Sequence, residues 1–144
     1  MEMQEIKSLM LGDWVNVYSF PNDNPKEKDL YPARVTSISV FDPYENPNDI
    51  TVEVTLPRTK GIASRPFNTC IPIRLTFEIL VANGYLFDGT TYDWFRECNH
   101  KLKIFGFCAP FLVLGGVEIT YVHELQHALR LCGEDEVADN FKVE

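Results

Sequence analysis

Residues Ile50 to Leu56 alternate strictly, with Thr51, Glu53 and Thr55 polar and Val52, Val54 and Leu56 apolar. A period of two sends successive side chains to opposite faces, so this segment is predicted to be a half-buried β-strand. Asp13 to Phe20 and Ala33 to Phe41 read as two further strands. Turn chemistry closes each of them, Pro21-Asn22-Asp23-Asn24-Pro25 after the first and the run from Asp42 to Asp49 after the second. Short strands separated in this way specify an antiparallel meander. With Trp14 near its start, the meander suits an SH3-like small barrel or another small twisted sheet.

Between Pro57 and Cys70 the chain carries Arg58, Lys60 and Arg65 among Gly, Ser, Thr and Pro, the composition of a long exposed connection. Beyond it, Thr76 can cap a helix from Phe77 to Ala82. Glu78 suits the helix's positive end, Asn83-Gly84 supplies a left-handed stop, and Leu75 with Leu80 can form a hydrophobic staple. Tyr85 to Phe87 and Thr91 to Arg96 flank Asp88-Gly89, a tight-turn pair. Leu102 and Ile104 alternate with lysines, and Phe111 to Leu114 and Val117 to Tyr121 flank Gly115-Gly116 as a second hairpin. The expectation is therefore an α+β chain: a β-rich lobe over 1–66, then a lobe over 67–144 made of a helix, an antiparallel meander and a C-terminal helix, the two sharing one compact unit.

The 144 residues are 45% hydrophobic and 12% aromatic, enough to build a core without metals or disulfides. Net charge is -8, and the 13 Lys and Arg are scattered, so nucleic acid is not an expected partner. Cys70, Cys98, Cys108 and Cys132 form no C-x-x-C pair, and the start shows no signal-peptide pattern. Reduced thiols in a cytoplasmic protein are expected. The longest apolar stretch, Cys108 to Val117, is too short and too broken for a membrane span.

The sharpest chemical string is His123-Glu124-Leu125-Gln126-His127, a literal H-E-x-x-H. On a helix it sets His123 and His127 one turn apart, where both can ligate zinc, with Glu124 placed to activate a bound water. A catalytic zinc usually takes three protein ligands. Glu134, Glu136, Asp139 and His100 are the residues open to that third role. Arg130, one turn beyond His127, disfavours a dication. Val122, Leu125, Ala128, Leu129 and Cys132 form an apolar stripe, which predicts that His123, His127 and Arg130 face solvent or a cleft as an interaction face. Glu134, Asp135 and Glu136 read as a solvated acidic tail. Trp14, Tyr18, Trp94 and Phe95 are read as packing residues in preference to a base-stacking platform.

The run Ile71-Pro72-Ile73-Arg74-Leu75-Thr76-Phe77-Glu78-Ile79-Leu80-Val81-Ala82-Asn83-Gly84-Tyr85, followed by Tyr121 to Gly133 around the histidines, resembles a family of small uncharacterised proteins from prophages, phages and mobile elements of gut bacteria. The likeness spans residues 71–133. The first half matches loosely, through Gly12-Asp13-Trp14-Val15. Members of that family often carry Gln at the position of Glu124, and some carry Asn at that of His127. The resemblance therefore implies a structural helix, with neither a base nor a metal pair to preserve. This chain departs from the pattern at Arg74 and Phe77, where Pro and Glu are common. The expected role is a non-enzymatic accessory or interaction protein with a protein partner and no cofactor. A minimal zinc-dependent hydrolase built on Glu124, His123 and His127 is the alternative, and a nucleic-acid-binding β module is the second alternative.

Overall fold

The computed structural model describes residues 9–18, 30–40, 50–57, 60–95, 102–113 and 116–143. The chain divides into two units, Met1–Ile73 and Arg74–Glu144. Both contain antiparallel sheets, and the second adds helices, giving an α+β protein. No helix among the described residues is long and apolar enough to cross a membrane.

In the first unit, β1 (Trp14–Tyr18), β2 (Leu30–Val40), β3 (Ile50–Leu56), β4 (Gly61–Pro66) and β5 (Ile71–Pro72) form one sheet in the order β4-β3-β2-β1-β5. The alternation in β3 works as expected. Val52 and Val54 are buried and Glu53 between them is exposed. Val15, Val17, Ala33 and Val35 join the same core, which Leu9, Phe67 and Cys70 complete. Register slips between Val35 and Ser37, a bulge that adds local twist, and the Thr36 hydroxyl there donates to Glu53 O at 3.1 Å. The sheet is not a closed barrel, because β4 and β5 stand at its opposite edges.

The Gly12-Asp13-Trp14-Val15 string locks the start of β1 onto β2. Gly12 adopts φ 87, a conformation that costs a side-chain-bearing residue, and its N–H donates to Val35 O at 2.7 Å. The buried Asp13 carboxylate accepts from Met10 N at 2.7 Å. Arg34 donates to Gly12 O at 3.2 Å and lies 5.5 Å from the Trp14 ring centroid.

The expected loop from Pro57 to Cys70 is instead largely ordered. Gly61–Pro66 pairs with β3 along its whole length, Phe67–Thr69 makes a 3-10 turn, and β5 pairs with β1. Sequence patterning missed this because β4 is an edge strand, with Ala63 turned toward the core and Ile62 71% exposed. Lys60, with φ 56, turns the chain into β4, and Arg65 donates to Tyr18 O at 3.0 Å. The pairing of β5 with β1 also carries the first unit beyond the expected boundary at residue 66.

The second unit opens on α1 (Phe77–Ala82) as expected: the Thr76 hydroxyl accepts from Ile79 N at 3.2 Å, Gly84 has φ 83, and Leu75 and Leu80 are both buried. The Asn83 side chain accepts from Lys142 N and donates to Lys142 O, each at 2.7 Å, tying the end of α1 to the C-terminal segment. A sheet follows from β6 (Leu86–Asp88), β7 (Asp93–Phe95), β8 (Ile104–Phe105), β9 (Phe111–Val113) and β10 (Val117–Ile119), in the order β10-β9-β8-β7-β6.

The first hairpin differs from expectation. Asp88 pairs with Asp93, so the loop runs from Gly89 to Tyr92, and it is Tyr92, with φ 58, that takes the left-handed position. Tyr92 N donates to Asp88 O at 2.8 Å, Gly106 N donates to Tyr92 O at 2.8 Å, and the Tyr92 ring rests 6.0 Å from that of Phe87. The Asp88 side chain accepts from Thr90 N at 2.9 Å, an Asx turn that holds its carboxyl below the usual range. The second hairpin turns on Gly116, with φ 81.

Cross-strand pairing sorts the sheet into two faces. Trp94, Ile104, Phe111, Val113 and Ile119 are buried on one, where the Phe77 ring of α1 meets Trp94 at 4.7 Å. Trp94 also donates to Gly106 O at 2.8 Å. Leu86, Asp93, Phe95, Phe105, Leu112 and Glu118 lie on the other.

Burial pushes the Cys70 thiol up to about 11, partly offset by the Arg65 charge. At pH 8 only about one such thiol in a thousand is ionised. Cys70 is fully buried and Cys108 exposed. With a disulfide reagent under native conditions, mass mapping should find Cys108 labelled early and Cys70 labelled only on unfolding. Equal labelling rates would contradict this packing.

Candidate functional site

Helix α2 (Val122–Leu131) carries the H-E-x-x-H string. Its start is fixed by the backbone around Thr120 and Tyr121: Leu75 N donates to Thr120 O at 2.8 Å, and Arg74 bridges to Tyr121. The two N–H groups there point at Glu124. Its Oε1 accepts from Thr120 N at 3.0 Å and from Tyr121 N at 2.9 Å, the carboxylate half of a capping box. Sequence reading placed Glu124 as a potential base. The structure gives its carboxylate a helix-capping role.

The apolar stripe holds in its centre, with Val122, Leu125 and Leu129 fully buried and Ala128 and Cys132 half-buried. The opposite side is not uniformly open. His123 is 1% exposed and Gln126 fully buried, whereas His127 and Arg130 are half-buried. The His123 ring lies nearly parallel to Tyr121, at 6.0 Å and 11°, and edge-on to His127, at 5.7 Å and 74°. His123 was expected on an open face, and burial removes it from one.

Gln126 carries no signal in the sequence that would mark it for a role of its own. Its side-chain amide donates to Ala138 O at 3.1 Å and so joins α2 to α3 (Asp135–Asp139). The presumed acidic tail is thus a short helix and a docked segment. Ala138 and Phe141 are buried, as is Glu134, while Asp135, Glu136 and Asp139 are exposed. Apolar residues at 137, 138 and 141 were the available signal for it, outweighed in reading by the acidic run Glu134-Asp135-Glu136. Arg130 Nη2, itself buried, stands 3.7 Å from Oδ1 of the exposed Asp139 across the two helices.

Zinc would require a third donor near His123 and His127. Among the described residues no group of three His, Cys, Asp or Glu comes together at metal-holding range, and His100 lies outside them. The pair of imidazoles is what the helix offers, one ring buried and one half-buried.

Replacing Glu124 separates capping from catalysis. Glu124→Ala should lower unfolding free energy by about 1 kcal/mol, the usual scale for a lost cap. Glu124→Gln, whose amide oxygen can accept from the same two N–H groups, should cost only a few tenths of that order. Urea denaturation measures both, and an equal loss in the two variants would remove the capping role. In comparisons with known proteins, no protein-family model, no curated protein and no solved structure matches this chain.

Proposed function

We propose that this chain is a non-enzymatic accessory protein that works by binding another protein. The observation that carries the reading is the second unit's outer sheet face, where Leu86 beside Phe95, and Leu112 beside Phe105 two strands away, are left exposed, Leu86, Phe95 and Leu112 at 45%, 41% and 43%. Clustered apolar side chains left in water mark contact surfaces more often than scattered ones do. The capping role of Glu124 supports the same conclusion, because it commits to structure the one group that a zinc hydrolase would need as base. The -8 charge argues against nucleic acid as partner.

A phage or mobile-element origin rests on the resemblance over residues 71–133. Gln at the position of Glu124, which that resemblance implies, would serve a capping box and would not serve a catalytic base. We read the first unit as SH3-like on the basis of its order, β5-β1-β2-β3-β4, and of the 3-10 turn just before its last strand. Cysteine spacing without a C-x-x-C pair favours a reducing cytoplasm. Other surfaces that could meet a partner are the β4 edge at Ile62 and the end of α2, where Leu131 is exposed and His127 and Arg130 are half-buried.

Two measurements decide. Purified chain incubated with casein should show no hydrolysis; hydrolysis abolished both by chelator and by Glu124→Gln would establish the zinc alternative. Photo-crosslinking residues placed singly at positions 62, 95 and 127, in cells that carry the gene, should give a discrete adduct with a second protein from at least one position. Adducts from none would overturn protein binding.

A further inference from the structure

Resting on the protein-binding reading above, we infer that the outer face of the second sheet docks a basic amphipathic helix of the partner. The face is apolar along its middle: Leu86 pairs with Phe95, and Phe105 pairs with Leu112. Acidic groups border it. Asp88 pairs with Asp93 at one end of the β6–β7 ladder, Asp93 faces Phe105, and Glu118 faces Leu112 on β10. Three carboxylates therefore flank four apolar side chains, and among the described residues near them Lys103 is the opposing charge.

A cavity of about 320 Å³ opens between Asp88, Asp93, Phe95, Leu102 and Lys103. It places room for one long side chain beside two aspartates. A lysine or arginine there would meet carboxylates and the rim of an aromatic ring together, a combination that suits a cation with an apolar stem. An acidic partner segment would set like charge against these carboxylates.

The architecture favours a helix as the occupant. A sheet apolar on both faces needs both covered, and α1 already lies against the Trp94 face through Phe77. Five strands at roughly 4.8 Å spacing span about 19 Å, which a helix crosses in roughly 13 residues. The apolar contacts would supply affinity, while the carboxylates would set orientation and make binding salt-sensitive.

The test uses the full chain with two designed 14-residue peptides of identical leucine pattern, one with lysine and one with glutamate at the polar positions, followed by isothermal titration calorimetry. The lysine peptide should bind one to one, weaken at least tenfold between 50 mM and 500 mM salt, and weaken at least tenfold in Leu112→Ser. Glu118→Lys, a surface change that leaves the core untouched, should weaken it as well. The glutamate peptide should not bind. No binding by the lysine peptide, equal binding by both peptides, or binding indifferent to Leu112→Ser and Glu118→Lys would each overturn the inference. A crosslink from position 62 or 127 without one from position 95 would defeat this docking face and leave protein binding standing. Crosslinks from no position would defeat both.

Discussion

The carboxylate of Glu124, held by the N–H groups of Thr120 and Tyr121, marks the start of the helix against which the end of the chain packs. A helix begins with backbone donors that lack intrahelical partners, and whichever side chain satisfies them fixes the residue at which winding starts. With Glu124 at the third helical position, Val122, Leu125 and Leu129 turn into the core. A start shifted by one residue would rotate the helix by roughly 100° and bring His123 and Gln126 out of their buried places. Energetically the cap is the smaller contribution. Burying each large apolar side chain contributes roughly 1.5–3 kcal/mol against about 1 kcal/mol for a cap, and a ten-residue helix has little stability alone. Packing makes α2 form, and Glu124 sets its phase.

Gln126 extends this dependence to the end of the chain. Its amide reaches Ala138 O only because the phase of α2 turns it inward, and that bond stitches α3 against α2. Asn83 does the same work from α1 by pairing through its side-chain amide with both backbone groups of Lys142. Two side-chain amides thus secure a C-terminal segment whose own apolar contribution is Ala138 and Phe141. Asparagine and glutamine suit the task because each offers a donor and an acceptor without a charge to desolvate.

What the sequence disclosed follows from which signals are local. Alternation in β3 and the Thr76 cap of α1 are carried by neighbouring residues, and both elements appear at the expected places. β4 was missed because an edge strand needs only one inward residue, here Ala63, and its pairing partner lies on another strand. The Asp88-Gly89 hairpin was correctly located and wrongly closed. Contacts from Gly106 and Phe87 hold Tyr92 in the left-handed conformation that local propensity assigned to glycine. Around the histidines, the spacing revealed a helix and its apolar stripe. It could not reveal that residues 134–141 fold back as a helix, since that depends on Gln126 meeting a carbonyl twelve residues away. The H-E-x-x-H string was the most specific match to a chemistry, and the structure adds a second role for one of its members. Its glutamate satisfies a requirement that any helix start imposes.

The unequal treatment of the two sheets bears on what the molecule does. In the first unit the outward positions of β3 are Thr51, Glu53 and Thr55, with Ile62 of β4 the exposed apolar neighbour of Thr55, and the apolar alternates of β3 enter one core. In the second unit β6, β7, β8 and β9 each carry apolar side chains on both faces, although α1 meets the sheet on the Trp94 face. Strands of two and three residues gain little from such side chains unless something covers them. Leaving Leu86, Phe95 and Leu112 more than 40% exposed forgoes burial that the first unit's pattern shows this chain can arrange. Asp88, Asp93 and Glu118 share that face, so two copies meeting face to face would oppose negative charge to negative charge. On the protein-binding reading proposed above, a face that combines apolar side chains with carboxylates would select for a partner of the opposite charge.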